Sequence, residues 1–258
     1  MIRKAIPSDK PIILKFCKHT FSWGDYIEEV WDYWMLDGIL LVIQKQTSVG
    51  IIHGVFYKNQ VWIEGIRIDP KFRRQGLATK MIKKIESMAK EKQICFSYML
   101  IDSNNEPSLS MAKVLNYNIF QTWNFYTLTP KKTNKNHISI CHDILENQIT
   151  HYVKSWRWVP LDKHQLNSLY SKNKIIYSGH DKEKAIAILE DSEHFKNTLI
   201  VTMFSGSQNS TKNIISYIQN FGKENKYQRL QILTRETLPD IEGLELKISF
   251  HLMQKVLS

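Results

Sequence analysis

A basic turn with a single glycine links an apolar strand to an amphipathic helix across residues 66–82. Before this turn, Gln60 to Ile68 is rich in β-branched and aromatic residues, which suits a half-buried strand. After the helix, Ile94 to Ile101 forms a second apolar run. Strand, helix and strand within about forty residues predict a βαβ unit with two parallel strands.

The turn has the chemistry of a phosphate site. Free backbone N–H groups at a helix N-terminus attract anions, and Arg73 and Arg74 add donors suited to phosphate. Gly76 lets a ligand approach the backbone closely because it has no Cβ. Neither a P-loop nor a Gly-x-Gly-x-x-Gly fingerprint occurs. The turn therefore predicts a phosphate-bearing ligand held by main-chain donors, the plainer alternative being a basic surface turn before an ordinary helix.

The spacing Arg73-x-x-Gly76-x-Ala78 resembles the pyrophosphate-loop motif of the GNAT superfamily of acyl-CoA-dependent N-acetyltransferases. The preceding strand ends in Ile68-Asp69-Pro70, as the family's fourth strand does, and the next helix starts at an Asn and ends in Leu115-Asn116-Tyr117. The resemblance implies an α/β fold with a mixed sheet, in which parallel strands four and five splay apart. It covers residues 1–128 in the family's element order, with these further elements expected: a strand at Ile2–Ala5, helices at Ser8–His19 and Trp23–Met35, and strands at Gly38–Lys45, Thr47–Tyr57 and Ile119–Leu128.

The resemblance also implies acetyl-CoA as co-substrate. Its pantetheine arm would lie between strands four and five, contacting the backbone of Ile66 and Ile68, and Asn105 would touch the same arm. The pyrophosphate would be held by the backbone N–H groups of the loop, namely those of Arg73, Arg74, Gln75, Gly76, Leu77, Ala78 and Thr79.

Glu64 is the candidate general base for taking the proton of the amine. An acidic side chain inside an apolar strand is costly without a partner, and burial shifts a carboxyl toward useful basicity. The alternatives are an ion pair with Arg67 or a lysine, and a role in orienting substrate. The run Glu64-Gly-Ile-Arg67-Ile-x-Pro is also similar to a subgroup that includes histidine N-acetyltransferase-like enzymes. That similarity implies that Arg67 meets a substrate carboxylate.

Ala112 stands where many family members have a tyrosine that protonates the leaving thiolate. Either the thiolate leaves unassisted, or another donor serves, or the site is inactive. The leading hypothesis is an N-acetyltransferase acting on a small molecule, an amino acid or a protein amine by direct attack in a ternary complex. The alternative is an inactive acyl-CoA-binding sensor or scaffold.

Composition narrows the remaining classes. The chain has 258 residues, of which 43% are hydrophobic, enough for a real core. No apolar span of membrane length occurs, and we expect a cytoplasmic protein without membrane contact. The net charge of +10 is spread evenly over both halves, which makes nucleic acid an unlikely partner. Three scattered cysteines, with no metal-ligand spacing, predict buried thiols and no metal.

The second half repeats the strand and helix order of the first. We expect a linker and connecting helix over residues 129–154, the helix being Asp143–Tyr152, and a degenerate GNAT-like domain over residues 155–258. Between Phe204 and Thr211 the sequence is polar but uncharged, so no second acyl-CoA site is expected. The second domain would complete the substrate cleft or form a homodimer surface.

Overall fold

The computed structural model describes residues 1–18, 20, 24–133, 138–141 and 149–257. The chain divides into two compact units, Met1–Gln121 with His251–Ser258, and Thr122–Phe250. These limits differ from the predicted division after residues 128 and 154, because the end of the chain returns to the first unit.

The first 128 residues form strands and helices in the expected order. Their elements are β1 (Ile2–Lys4), α1 (Lys10–Cys17), α2 (Ile27–Trp34), β2 (Ile39–Gln44), β3 (Ser48–Tyr57), β4 (Gln60–Ile68), α3 (Leu77–Glu91), β5 (Phe96–Asp102), α4 (Glu106–Val114) and β6 (Asn118–Leu128). The predicted fourth strand has the observed bounds. The predicted start of the second helix, Trp23, lies outside the described residues, and α2 begins at Ile27.

The remaining elements are shorter, apart from one long helix and a long last strand. They are β7 (Ser139–Ile140), β8 (His151–Lys154), β9 (Arg157–Pro160), α5 (Lys163–Ser171), β10 (Ile175–Ser178), β11 (Ala185–Asp191), β12 (Thr198–Phe204), α6 (Gln208–Glu224), β13 (Arg229–Thr234) and β14 (Leu244–Val256). Most of the helix predicted at Asp143–Tyr152 falls outside the described residues, and its last two positions begin strand β8 instead.

The first unit is a mixed sheet with helices on both faces. Its strand order is β1-β2-β3-β4-β5-β14. Strands β1 to β4 pair antiparallel, and β4 pairs with β5 in parallel. The predicted mixed α/β fold is thereby confirmed. One face packs on the buried stripe of α3, which includes Met81, Ile82 and Ile85, and the other packs on α1 and α2.

The end of β14 completes the first unit beside β5. Met253 and Leu257 are buried in the core that holds α3. Lys255 donates to the carboxylate of Glu86 at 2.8 Å, and the hydroxyl of Tyr117 donates to the same carboxylate at 2.9 Å. The Tyr117 hydroxyl also lies 2.6 Å from Ser97 Oγ. The first unit therefore depends on a segment from the far end of the sequence.

The second unit has a sheet of the same general design. From the first part of β14 the order is β14-β6-β13-β12-β11-β10-β7. Strands β12 and β13 are parallel, and the other assigned pairs within this unit are antiparallel. Helix α6 covers one face through Ile214, Ile215 and Ile218. The residues of β6 from Thr122 onward belong to this unit, so each unit uses a strand that the other half of the chain supplies.

Candidate active site

Strands β4 and β5 separate halfway along their length. They pair from Gln60–Phe96 to Ile63–Met99. Both strands continue, β4 to Ile68 and β5 to Asp102, and no further residue pair joins them within this described stretch. A gap therefore opens at Glu64, as the splayed arrangement predicts. The exposed backbone edge of a strand can bind a peptide-like ligand.

Gly65 forms a bulge where the gap begins. In the β3–β4 pairing, His53 lies opposite Glu64 and Ile51 lies opposite Arg67, so β4 has one extra residue over this interval. Gly65 has a φ of +65°, and a Cβ there would lie 2.3 Å from the ring of Trp34. Only glycine fits both conditions. The bulge brings Glu64 and Arg67 to the same face of the sheet, since an extra residue reverses the usual alternation.

The predicted phosphate loop presents its amides outward. Residues 73–76 are exposed, Gly76 has a φ of +68°, and no atom lies within 4 Å of its Cβ position. Among the described residues, no protein acceptor takes a hydrogen bond from the amides of positions 74–79. Leu77 is buried and anchors the helix start, whereas Ala78 and Thr79 are half-buried. This is the arrangement that a bound phosphate needs, because the amides can donate without first breaking an internal bond.

The other loop residues contact their neighbours through side chains. Arg73 Nε donates to the carbonyl of Ile68 at 3.1 Å, and Gln75 Oε1 accepts from Lys45 Nζ at 2.7 Å. The carbonyl of Ile66 accepts from Arg67 Nη1 at 3.0 Å. The two strand carbonyls predicted to meet pantetheine thus receive arginine side chains in this structure.

Helix α4 carries the remaining predicted residues. Asn105 caps it, with Oδ1 accepting from the amide of Ser108 at 3.2 Å. Ala112 is fully buried in the core. A methyl group has no proton to give, so this position supplies no acid to a leaving thiolate.

Glu64 lies at the opening of the gap, where a histidine ring nitrogen and a tryptophan ring nitrogen contact its carboxylate. Its Oε1 is 2.9 Å from His53 Nδ1, and its Oε2 accepts from Trp62 Nε1 at 3.0 Å. The side chain keeps 13% of its surface exposed, whereas His53 has none. The carboxylate is therefore oriented by its neighbours and still reachable from solvent.

Arg67 forms a buried ion pair on the same face. Its Nε donates to Asp25 Oδ2 at 2.7 Å and its Nη2 to Asp25 Oδ1 at 3.2 Å. Burial opposes the charge, but Tyr26 and Asp25 more than offset it, so the pKa of Arg67 is raised. Burial raises the pKa of Tyr26. The charge of Arg67 lowers this pKa, whereas the charges of Glu64 and Asp25 raise it further. Arg67 thus has a carboxylate partner within the protein, at the place where a substrate carboxylate was predicted.

Sequence reasoning found Glu64 and missed its partners. His53 is a fully buried polar residue in an otherwise apolar strand, which is the signal that singled out Glu64 one strand away. Trp34 stacks on the His53 ring, with ring centres 4.6 Å apart and planes inclined by 10°. Only the strand register shows that these residues meet.

The second unit handles the corresponding helix start differently. The amide of Ser210 donates to Ser207 Oγ at 3.3 Å, and the amide of Gly206 donates to Thr211 Oγ1 at 3.2 Å. The amide of Ser207 donates to the carbonyl of Glu183 at 3.0 Å. These donors are satisfied within the protein, in contrast to those of residues 74–79.

The described residues lack two features that would have suggested other functions. No group of three or more histidine, cysteine, aspartate or glutamate side chains could hold a metal ion there. No described helix combines the length and apolar character needed to cross a membrane.

Comparison with known proteins agrees with this geometry. Residues 12–117 match the model of the acetyltransferase (GNAT) family. No curated protein sequence matches significantly. Among solved structures, a proposed acetyltransferase from Thermoplasma acidophilum is 16% identical, with 99% of both chains covered and a TM-score of 0.68. A GCN5-related N-acetyltransferase from Sphaerobacter thermophilus is 12% identical, with 100% of this chain and 95% of that chain covered and a TM-score of 0.64.

The structural likeness supports the fold alone. Sequence identities this low do not indicate the activity of this chain. The family model covers Glu64 together with the loop and the parted strands, the last two being features that the resemblance implied. Over residues 12–117, the chain is therefore similar to the GNAT family of acetyltransferases.

Proposed function

We propose that the protein is an N-acetyltransferase that moves the acetyl group of acetyl-CoA to a primary amine by direct attack in a ternary complex. The observation that carries this is the gap between β4 and β5, with outward-facing amides at one side and Glu64 at its opening. The acceptor is a small molecule, an amino acid or a protein amine.

The loop and strands have distinct roles in holding acetyl-CoA. The amides of residues 74–79 donate to the diphosphate, and the exposed guanidinium groups of Arg73 and Arg74 add attraction for its charge. Ile66 and Ile68 offer backbone groups to the pantetheine arm, and their carbonyls, each with one bond from an arginine side chain, can accept a second. Asn105, at the start of α4, faces the same arm.

The chemistry needs one proton acceptor and one leaving group. The amine nitrogen attacks the thioester carbon, a C–N bond forms, and the C–S bond breaks as CoA leaves as a thiolate. Glu64 takes the proton that the amine loses. Because Ala112 supplies no acid, the thiolate leaves without a proton from α4 and is protonated by solvent afterwards. A thiolate can leave in this way because it is a fair leaving group.

An amine panel with detection of the released CoA thiol tests the reaction. Wild type should release CoA with at least one acceptor class, and Glu64→Gln should lower kcat by about 10²- to 10⁴-fold, the usual worth of general base catalysis. Glu91→Gln, on the exposed end of α3, is the matched control and should leave kcat unchanged. Full activity in Glu64→Gln would remove the base assignment and leave the fold untouched.

A second candidate function is an inactive acyl-CoA sensor or scaffold, which the buried Ala112 favours. The two functions share the acetyl-CoA site and differ in turnover. Calorimetric binding of acetyl-CoA without CoA release across the whole panel would identify the sensor. Absence of acetyl-CoA binding by the folded wild type would contradict both.

A further inference from the structure

His53 lies fully buried behind the proposed base and has partners on both ring nitrogens. Its Nδ1 is 2.9 Å from Glu64 Oε1, and its Nε2 contacts the backbone carbonyl of Asp37 at short distance. We propose that Glu64 and His53 accept the amine proton as one unit, with His53 as a positioning residue that sets the basicity of the carboxylate. This inference rests on the proposed function.

The two contacts assign the hydrogens of the ring. A backbone carbonyl can only accept, so Nε2 carries a hydrogen. The contact between Nδ1 and Oε1 then needs one proton of its own, held either by the ring or by the carboxyl group. The pair is an imidazolium beside a carboxylate in the first case and a neutral imidazole beside a carboxylic acid in the second. Both arrangements carry one shared proton and no net charge.

Removing this proton is unfavourable, which makes the pair a better base than a lone carboxylate. The Nδ1 lone pair would then face a carboxylate oxygen inside the protein, and two acceptors at that distance repel. The affinity for the shared proton belongs to the pair rather than to either residue.

The proton balance of the step follows. The pair first releases its shared proton to solvent, and the attacking amine then supplies a proton to Glu64 as the C–N bond forms. The proton is then held between Oε1 and Nδ1. Afterwards it leaves through the 13% of the Glu64 side chain that is exposed, since the His53 ring has no surface.

The surroundings hold the ring in place. Trp34, from α2, stacks on it and is itself kept in position by the close approach of Gly65. Other charged or titratable groups nearby are Tyr26, Asp25 and Asp37 on neighbouring segments and Arg67 on β4, and Asp25 pairs with Arg67. Glu64 contacts the ring through a carboxylate oxygen.

The pH dependence of kcat/KM tests the inference, with His53→Asn as the main variant. Asparagine can donate to Oε1 from nearly the position of Nδ1, but it cannot share a titrating proton. We expect the acidic limb to move toward lower pH, and kcat to fall at least about tenfold at neutral pH. His164→Asn, at an exposed position of α5, should leave the limb in place. An unmoved limb in folded His53→Asn would overturn the inference.

A measurement without turnover separates this inference from the proposed function. In ¹⁵N-histidine NMR spectra, His53 Nε2 should carry a hydrogen, because it faces the carbonyl of Asp37. The Nδ1 proton should be lost at higher pH in wild type than in Glu64→Gln, because the variant removes the charge that retains it. Equal titration in both proteins would overturn the pairing even if acetyl transfer is observed. Lack of CoA release with unequal titration would instead contradict the proposed function.

Discussion

The parallel strand pairs of the two units show how one design gives two outcomes. Strands β4 and β5 form four residue pairs, Gln60–Phe96 to Ile63–Met99, and then part. Strands β12 and β13 form six pairs, from Thr198–Arg229 to Met203–Thr234, which take up nearly all of both strands. Strand β4 has the bulge at Gly65 in its pairing with β3, and the described pairing of β12 with β11 has none. The strand with the glycine bulge thus parts from its parallel neighbour, whereas the strand without a bulge stays paired.

The helix starts differ in the same direction, since the amides before α3 face outward and those before α6 are capped by serine and threonine. We propose that the second unit is a degenerate GNAT-like domain without an acyl-CoA site. Its parallel pair and its helix α6 support the likeness, and its closed strands and satisfied amides support the loss of binding.

The largest expected effect comes from deleting residues 251–258. Leu252, Met253 and Leu257 would leave the core, and each such side chain contributes about 1.5 to 3 kcal/mol when buried. The total is comparable with the whole stability of a domain. We expect loss of cooperative unfolding for the first unit and of acetyl-CoA binding, measured by chemical denaturation and calorimetry.

Val256→Ser is the control for that deletion. Val256 belongs to the same strand but is 64% exposed, so the substitution should change the free energy of unfolding by less than about 0.5 kcal/mol. A first unit that still unfolds cooperatively after the deletion would show that β14 is dispensable and that the predicted boundary after residue 128 describes an independent domain.

The next effect concerns the two helix starts. Gly76→Glu places a carboxylate among the outward amides, and we expect acetyl-CoA affinity to fall at least about 100-fold, or about 2.7 kcal/mol. Gly76→Ala has the same backbone strain without the charge and should fall much less. Asn209→Glu, at the exposed start of α6, should leave affinity unchanged. Calorimetry on the three variants would contradict the comparison if the two glutamate variants behaved alike.

The smallest effect separates the units by their response to acid. Burial lowers the pKa of His151, in the second unit, to about 4. The unfolded chain takes up this proton first, so stability falls as pH drops from about 6.5 to 4, by about 2 to 3 kcal/mol. Burial opposes the ionised form of Asp9, in the first unit, but hydrogen bonds from Arg3 and Ser48 hold its pKa at about 2. Its contribution of about 2 kcal/mol is lost only between about pH 4 and 2.

Unfolding followed against pH by tryptophan fluorescence should therefore show two windows. His151→Gln should flatten the upper window and leave the lower one, whereas Asp9→Asn should do the reverse. A single window shared by both variants would mean that the units lose their structure together.

The sequence predicted the parts of the site that are local in the chain. Strand β4 and helix α3 follow from periodicity, and the loop between them follows from its arginines and glycine. Glu64 is recognisable because burying a carboxylate in an apolar strand is costly unless it has a partner or a function. Each of these signals is contained within some ten neighbouring residues, and pattern reasoning works at that range.

The rest depends on pairings that no local pattern contains. His53 reaches Glu64 only because the bulge at Gly65 sets the register of β3 against β4. The predicted second domain, residues 155–258, includes the whole of β14, yet the end of that strand belongs to the first unit. Ile119–Leu128 was assigned whole to the first domain, whereas Asn124 to Leu128 pair with β13. Which distant strands pair depends on which sheet edges are available in the folded chain, and a local sequence pattern does not contain that information.

The ion pair between Lys255 and Glu86 joins residues 169 positions apart. During synthesis, at about 5 to 20 residues per second, the first unit must therefore wait many seconds for the strand that completes it. Contacts so distant in sequence also slow folding in a released chain. Until that strand arrives, the edge of β5 stays open to any other extended segment, and a second copy of the same nascent chain carries the best-fitting one.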